Sequence, residues 1–336
     1  MPDVELALAD ARELARACLA VNGCDDANAE AVADTITRAD RDQCTSHGLF
    51  RVPGYVASLR SGKVNGSAEP KIETLAPGVL RVHGQGGFAP LALQRARDPL
   101  AEAAATQGIA ALALVDFYHF AALWAEVEPL AERGLCAFAF HASKAAVAPA
   151  GGTAPVFGTD PMAFGWPRRK GPPMVFDQAS SALAKGEVMI AARDGHELPP
   201  GIGIDAQGRA TTDPAAVLKG ALLPFGGYKG AAIALMVELL SGALIGEWCG
   251  FEAGEKDNND GGPGRAGELM LALDPSRFGA ADDWMDRAER LFERLLAQPG
   301  VRLPGDRRHA SRAATDAHGI EIPRSLYDEI VALTQK

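Results

Sequence analysis

Cysteine is scarce in this chain, and its spacing offers no framework for a disulfide or a metal ion. The five cysteines among 336 residues stand far apart, are odd in number and include no Cys-x-x-Cys pair. Disulfide-rich secreted domains and zinc-binding domains show the opposite pattern. We therefore expect no bound metal and a reducing compartment, the cytoplasm.

Basic charge and long apolar runs are also in short supply. The chain has 33 basic and 43 acidic residues, a net charge of −10, which argues against nucleic acid or an anionic membrane as the main partner. The apolar stretches at 108–115 and 231–245 are too short or too interrupted by polar residues to span a bilayer. Asp3 and Glu5 stand where a signal peptide would be basic and then apolar. We expect a globular protein whose partners are small molecules.

The order of helical and extended segments predicts an α/β architecture. Apolar periodicity and turn residues divide the chain as follows. Helices are expected at 3–22, 27–42, 50–62, 91–107, 120–134, 230–246 and 282–298, and strands at 79–82, 108–115, 135–140 and 269–273, with a loop at 252–266 and a last helix within 320–333. The helix at 230–246 is so apolar that we expect it to be buried on most sides.

His47, Arg51 and Tyr55 follow one another at spacings of four residues. On a helix they would share one face, where an imidazole, a guanidinium and a phenol could hold and protonate a small acid. Pro53 is tolerated only in the first turn of a helix, so we expect the helix to begin near residues 48–50 with His47 at its start. A capped surface helix with a stray histidine is the alternative interpretation.

Two other patterns suggest a dinucleotide-binding fingerprint and a hydrolase triad, but neither is complete. Residues 84–89 follow a strand-like run as a dinucleotide fingerprint does, but that run is short and Pro90 intervenes before the helix, so we interpret them as a tight turn. Ser46, His47 and a distant aspartate could form a hydrolase triad. No Gly-x-Ser-x-Gly elbow surrounds Ser46, which leaves this serine an orienting or proton-relay role.

Three segments could bind an anion. His119 follows a buried strand, where α/β proteins gather their sites, although an ordinary capping loop would look the same. Residues 226–230 form a glycine-rich turn with Lys229 before a helix, a phosphate-binding arrangement or simply a helix start with a surface lysine. Arg307 and Arg308 suit a 2′-phosphate, but a solvated basic pair is the common case.

Together these segments resemble the malate/L-lactate dehydrogenase-like family of NAD(P)H-dependent oxidoreductases, which lack a standard Rossmann domain. The markers, in chain order, are Ser46 to Gly48 with Arg51, His119-Phe120, Gly158 to Pro161, Asp177 to Ser181, Gly203 to Asp205 with Thr211 to Pro214, Gly226 to Gly230, and Leu303 to Gly305. Within the family, residues 119–124, 148–152, 175–181 and 223–227 are similar to Δ1-piperideine-2-carboxylate/Δ1-pyrroline-2-carboxylate reductases.

The resemblance implies an α/β malate/L-lactate dehydrogenase-like fold with flanking helical segments. It implies a helical part made of residues 1–75 and 282–336, an α/β segment at 76–130 and an NADPH-binding α/β domain at 131–281. The activity implied is NADPH-dependent reduction of Δ1-piperideine-2-carboxylate to L-pipecolate and of Δ1-pyrroline-2-carboxylate to L-proline, by a homodimer. A malate- or lactate-like 2-hydroxy-acid dehydrogenase and a non-catalytic NADP-binding or regulatory protein are the alternatives.

The resemblance also implies roles for individual residues. Ser46 and Asp194 would form a relay with His47, the proton donor. Arg51, Thr159, Lys185 and Gly186 would bind the substrate. The residues implied in NADPH binding are His119, Phe120, Ala121, Ala122, Leu123, Asp177, Gln178, Ala179, Tyr228, Lys229, Pro304, Gly305, Asp306, Arg307, Arg308, His309 and Ala310. Lys185 and Tyr228 depart from the arginine and histidine typical of these reductases, and lysine loses the bidentate geometry of arginine.

Overall fold

The computed structural model describes residues 3–279 and 283–335. The helices are α1 (Leu8–Val21), α2 (Asp26–Arg41), α3 (Val52–Arg60), α4 (Ala89–Gln107), α5 (Trp124–Glu132), α6 (Lys185–Asp194), α7 (Pro214–Lys219), α8 (Tyr228–Glu238), α9 (Gly250–Lys256), α10 (Trp284–Leu296), α11 (Asp306–His318) and α12 (Arg324–Thr334). The strands are β1 (Val4–Leu6), β2 (Lys71–Ala76), β3 (Val79–Phe88), β4 (Ile109–His119), β5 (Cys136–His141), β6 (Met162–Trp166), β7 (Met174–Gln178), β8 (Gly203–Ile204), β9 (Ala210–Thr211), β10 (Ala221–Leu222), β11 (Gly264–Arg265), β12 (Glu268–Leu273) and β13 (Ile320–Ile322).

A mixed sheet forms the centre of the molecule, with strands in the order β2-β3-β4-β12-β5-β6-β7 and β11 beside the end of β4. β3 and β4 run parallel, since α4 carries the chain back over the sheet between them. β12 lies between β4 and β5 and is antiparallel to both. β4 and β5 therefore end at the same edge of the sheet, and β12 begins there.

Two apolar cores hold the helices in place. The first lies between the sheet and helices α4 and α5, where Val82, Leu112 and Leu114 of the strands share one buried cluster with Leu100 and Leu130. The second joins α1, α2 and α3 to α12, far apart in sequence, through side chains such as Leu19, Ile36 and Ile330. The α/β fold class is as predicted, while the boundaries of the three parts stay a prediction.

Several helix boundaries differ from those predicted. Residues 4–6 pair with β13 as a strand, so the first helix begins at Leu8. The predicted helix at 50–62 is preceded by two short 3₁₀ turns, Thr45–His47 and Leu49–Arg51, and becomes α-helical at Val52. The helix predicted from residue 120 begins at Trp124 because Ala121 has a φ of 56°, which breaks the helical path.

Three other segments also correct the sequence interpretation. Of residues 84–89, the first three form a bulge within β3, where the pairing with β4 shifts between His83 and Gly87, and Ala89 already begins α4. The loop predicted at 252–266 begins as α9. The apolar helix predicted at 230–246 is α-helical to Glu238 and continues as a π-helical turn over Leu239–Ala243. One face, which carries Leu235 and Leu239, is exposed, and the other sides are largely buried as predicted.

One predicted helix begins at a residue that is not described. Asp282, the expected start of the amphipathic helix, lies outside the described residues, and α10 is described from Trp284. Within the described residues, no helix combines the length and apolar character needed to cross a bilayer.

Candidate active site

A cleft of about 790 Å³ opens at the edge of the sheet where β4 and β5 end. Its walls come from eight stretches of the chain, which is why no single local motif defines it. Lining residues lie within 43–51, 119–124, 141–144, 159–161, 175–179, 184–190, 257–264 and 302–308.

Ser46 and His47 lie together at one wall. The 3₁₀ turn brings both side chains to the same side, so Ser46 Oγ and His47 Nδ1 are 3.1 Å apart. Neighbouring side chains usually point apart, and the turn overrides that tendency. Burial, then Arg51 and His119, lower the pKa of His47 to about 3. The imidazole is therefore neutral at pH 7 before any ligand binds.

Asp40 of α2 holds this turn in place. Its Oδ2 accepts a hydrogen bond from the backbone N–H of Leu49 at 2.7 Å. A side chain at Gly48 would collide with the same carboxylate. Burial raises the pKa of Asp40 to about 7. A buried carboxyl group on a helix thus fixes the loop that carries His47.

Arg51 is a largely buried cation that has no carboxylate within ion-pair distance among the described residues. Its Nε donates to the carbonyl oxygen of Ser46 at 2.6 Å, and its guanidinium lies 4.4 Å from the ring centre of Phe120. Burial lowers its pKa to about 10, so it still carries its charge at pH 7. Buried charges are normally paired, and this one faces the cleft.

Lys185 and Thr159 also line the cleft. Burial, Lys144 and Arg51 lower the pKa of Lys185. Gly186 is not in the lining, but it packs against the same residues: a Cβ there would lie 2.6 Å from Arg51 Nη2 and 3.0 Å from Ser46 Cβ. Thr159 Oγ1 is 3.4 Å from Ser143 Oγ. The four residues implied in substrate binding are thus brought together.

The segment His119–Leu123 crosses the floor of the cleft. Asp177 Oδ2 accepts a hydrogen bond from the backbone N–H of Trp124 at 3.0 Å, which ties the segment to β7. Burial raises the pKa of Asp177 to about 6. His119, Phe120, Ala121, Asp177, Gln178 and Ala179 all line the cleft, whereas Ala122 and Leu123 are buried beneath it.

The predicted Arg307 and Arg308 both line the α11 end of the cleft, together with Arg302. Arg308 is buried: its Nη2 donates to the carbonyl oxygen of Val175 at 3.0 Å, and its guanidinium lies 5.0 Å from the Trp124 ring. Arg307 and Arg302 are exposed and line the cleft. The exposed cations at this end are therefore Arg302 and Arg307, and sequence reasoning missed the first.

Of the other residues predicted at 304–310, some line the cleft and the others make contacts outside it. Pro304 and Gly305 line the cleft. Asp306 caps its own turn by accepting from Leu303 N at 2.8 Å, and His309 contacts the carbonyl oxygen of Pro173 at 3.1 Å. Ala310 is exposed and lies outside the lining.

Three predicted site residues lie elsewhere. Asp194 is at the end of α6, where its carboxylate binds Arg193 at 2.6 Å, so the predicted relay with His47 is not formed. The acidic residue of α6 that lines the cleft is Glu187. Glu187 directly follows Lys185 and Gly186, two residues implied in substrate binding, and this position in the sequence could have identified it as a site residue. Tyr228 and Lys229 are exposed at the start of α8 and do not line the cleft.

A buried cluster of imidazoles and carboxyl groups reaches from the cleft into the protein: His119 and His141 line the cleft, and Glu126 and Glu268 lie outside the lining. His119 Nε2 is 2.7 Å from Glu126 Oε1 and 3.9 Å from Glu268 Oε2, while His141 Nδ1 is 3.8 Å from Glu268 Oε2. Burial raises the pKa of Glu126 to about 7 and that of Glu268 well above its ordinary value. Sequence reasoning singled out only His119 of these four.

The family model for malate/L-lactate dehydrogenase matches residues 6–331. The chain belongs to the malate/L-lactate dehydrogenase family. It is 48% identical to a Δ1-pyrroline-2-carboxylate reductase of Ancylobacter novellus, over 98% of this chain and 97% of that protein. A Δ1-pyrroline-2-carboxylate/Δ1-piperideine-2-carboxylate reductase of Pseudomonas aeruginosa is 46% identical over 99% and 100% of the two chains.

A solved structure agrees with these relatives. The crystal structure of Δ1-piperideine-2-carboxylate reductase from Pseudomonas syringae superposes with a TM-score of 0.93 at 42% identity, covering 98% of this chain and 99% of that one. The family and the fold predicted from the motifs are thus confirmed. Membership of a dehydrogenase family implies a nicotinamide cofactor.

Proposed function

We propose that this protein is an NADPH-dependent reductase of cyclic imino acids, acting on Δ1-piperideine-2-carboxylate and Δ1-pyrroline-2-carboxylate. The observation that carries the proposal is Arg51, a largely buried cation in the cleft with no carboxylate partner among the described residues. A substrate carboxylate would supply that partner as a charge-assisted pair. Relatives of 46–48% identity bear the names of such reductases.

The residues of the cleft fit a bound NADPH. The volume of about 790 Å³ falls in the range of cofactor sites, and Arg302 and Arg307 offer exposed cations for a 2′-phosphate. Residues 119–121 and 177–179 would hold the rest of the cofactor. When bound, NADPH supplies a hydride to C2 of the substrate.

The chain's own residues would complete the reaction at the ring nitrogen. Arg51 would hold the carboxylate and so place C2 and the nitrogen next to His47. Reduction of the C=N bond needs one proton besides the hydride, and His47 is placed to pass it to the nitrogen. Once the carboxylate compensates Arg51, one of the causes that lower the pKa of His47 is removed. Ser46, with its hydroxyl 3.1 Å from Nδ1, would orient the ring.

The relay assigned to Asp194 is better filled by another residue. We propose that Glu187, which lines the cleft next to Gly186, is the acidic group that serves the Ser46–His47 pair. Lys185 would add a second positive charge near the substrate carboxylate. Unlike an arginine, it cannot bind both carboxylate oxygens in a bidentate pair.

The test compares substrates directly. NADPH oxidation is measured with Δ1-piperideine-2-carboxylate, Δ1-pyrroline-2-carboxylate, pyruvate and oxaloacetate under the same conditions. We expect kcat/KM to be highest for the two imino acids. Higher values for the 2-oxo acids would favour the 2-hydroxy-acid dehydrogenase instead, and NADPH binding without any turnover would favour the non-catalytic alternative.

We also propose that the protein is a homodimer joined through α8. Tyr228, Leu235 and Leu239 lie on one face of this helix and its continuation, with exposed fractions of 72%, 49% and 54%. Leu244, at 66%, extends the patch. A second copy is the partner expected for a self-complementary apolar patch in a symmetric dimer. The cytoplasmic location stays a prediction.

A further inference from the structure

The buried cluster of His119, Glu126, His141 and Glu268 contains an unusual share of unpaired polar atoms. Among the described residues, ten buried side-chain atoms have no hydrogen-bond partner, and five of them belong to this cluster. They are His119 Nδ1, Glu126 Oε2, His141 Nδ1 and both carboxylate oxygens of Glu268. Each such atom costs folding free energy, and a group of them at one place points to a role beyond packing.

One contact in the cluster is short and well defined, between His119 Nε2 and Glu126 Oε1 at 2.7 Å. Two proton arrangements fit it. In the first, Nε2–H donates to a Glu126 carboxylate and leaves a bare lone pair on Nδ1. In the second, a protonated Glu126 donates to Nε2 and leaves an N–H on Nδ1. Burial and Glu126 raise the pKa of Glu268 well above its ordinary value, so the proton of this carboxyl pair lies on Glu268 and Glu126 is left as the acceptor. The first arrangement is therefore favoured.

The same contact argues against a metal ion at this place. His119, Glu126 and Glu268 do offer ligand atoms within 4.8 Å of one another. Yet the nitrogen and the oxygen that would ligate the ion already face each other at hydrogen-bond distance. A cation between them would need to separate them.

We propose that Glu126 is a positioning residue for cofactor binding: by accepting the Nε2–H of His119 it fixes the tautomer and orientation of the imidazole that begins the cleft-floor segment. A carboxylate that fixes a histidine tautomer through the opposite ring nitrogen is a known device. This inference rests on the proposed function, since it gives His119 and Phe120 their task in an NADPH site.

The position of His119 explains why its orientation matters. The next residue, Phe120, lies over the guanidinium of Arg51 at 4.4 Å, and a hydrogen bond with the Phe120 backbone partly offsets the lowering of the His47 pKa. A rotated imidazole would present a different ring edge to the cleft, which His119 and Phe120 both line. Glu126 lies on α5 outside the cleft lining, so it acts through His119 and not on a ligand.

The experiment compares Glu126→Ala and Glu126→Gln with the wild-type chain, and uses Glu132→Ala as control because Glu132 is exposed on the same helix. We expect Glu126→Ala to raise the KM for NADPH about 10-fold or more, the scale of losing a hydrogen bond to a charged group, while the KM for the imino acid changes by less than about twofold. Glu126→Gln should recover most of the affinity, since its amide oxygen still accepts the Nε2–H.

Nitrogen NMR of histidine-labelled protein gives a second readout that catalysis does not affect. We expect the Nε2–H tautomer of His119 in the wild type and a mixture in Glu126→Ala. An Nδ1–H tautomer, equal effects on both KM values, or stoichiometric zinc that Glu126→Gln removes would overturn the proposal. Failure of the wild type to bind NADPH would instead overturn the proposed function, so the two are distinguishable.

Discussion

Arg51 and His47 illustrate how a single residue's surroundings set its chemistry. Arg51 keeps its charge in a largely buried position, where it donates to a carbonyl oxygen and lies against two phenylalanine rings. His47 next to it is held neutral by burial and by that charge. A ligand carboxylate would pair with Arg51 and would thereby weaken one cause of the lowered pKa of His47.

Replacing His47 with alanine should lower kcat by roughly 10²–10⁴-fold, the usual contribution of general acid–base catalysis. NADPH affinity should change by less than about twofold, because the proton donor does not hold the cofactor. Stopped-flow turnover and fluorescence titration measure the two quantities. His196→Ala, which removes an exposed histidine, is the control, and near-normal turnover of His47→Ala would exclude His47 as proton donor.

Binding of a carboxylate should raise the pKa of His47. In the free protein that pKa is lowered to about 3, so the imidazole is neutral above about pH 4. A carboxylate on Arg51 offsets the positive field, and the complex then takes up a fraction of a proton in weakly acidic buffer. Calorimetric titration with furan-2-carboxylate in buffers of different ionisation enthalpy measures this uptake. Arg51→Met should abolish it, and a buffer-independent heat in the wild type would contradict the coupling.

The two neighbouring arginines of α11 should respond differently to substitution. Arg307→Ala should reduce the preference for NADPH over NADH by about 10-fold, since the exposed guanidinium would lose a charge-assisted pair with the 2′-phosphate. Arg308→Ala should mainly lower the melting temperature, because Arg308 is bound to Val175 and stacked near Trp124. Cofactor KM ratios and thermal unfolding separate these outcomes. A larger loss of preference in Arg308→Ala would place the phosphate at that residue.

At the scale of elements, ion pairs with two lysines hold the loop after α9 at the cleft. Lys63 Nζ binds Asp257 at 3.1 Å and Asp260 at 2.6 Å, and Lys144 binds Asp257 from the other side. The side chains of Lys63, Asp257 and Asp260 are almost fully buried. Asp257, Asn259 and residues 261–264 line the cleft, so these ion pairs shape one of its walls.

Lys63→Met removes two of the ion pairs that hold the loop after α9, and should destabilise the protein. Burial by itself would raise the pKa of Asp260, but Lys63 and the neighbouring donors outweigh it and lower that pKa to about 2. The stabilisation is therefore complete above the unfolded value near 4 and is lost as the pH falls towards 2. We expect the substitution to cost about 1–3 kcal/mol of unfolding free energy at pH 7 and less at about pH 2.5. Denaturant unfolding at both pH values, with exposed Lys71→Met as control, tests this. A cost that does not depend on pH would contradict the assignment.

At the scale of the whole molecule, the exposed stripe on α8 predicts self-association. Leu235→Asp combined with Leu239→Asp should convert the dimer into a monomer, because a charge in an apolar interface is not solvated. Leu75→Asp, at an exposed leucine of β2, should leave the dimer intact. Sedimentation velocity at micromolar concentration measures both. A wild-type chain that sediments as an active monomer would contradict the homodimer.

The sequence by itself determined the features that depend on residues close together along the chain, such as helix positions and short motifs. Apolar periodicity located α2 and α4 closely, because a helix's buried face repeats along the chain. The spacing of Ser46, His47 and Arg51, with the other motifs, identified the family and therefore the fold. These features depend on residues near one another in sequence.

Tertiary structure alone decided the features that depend on distant residues. β12 inserts between β4 and β5 and brings Glu268 under His119, and no local pattern encodes that pairing. The fold places Glu187 and not Asp194 in the cleft, and buries Arg308 while leaving Arg307 exposed, because which side of a helix faces the cleft depends on what packs against it. The apolar pattern of α8 likewise predicted a helix, but whether its own chain covers each face is settled only by the packing of the whole molecule.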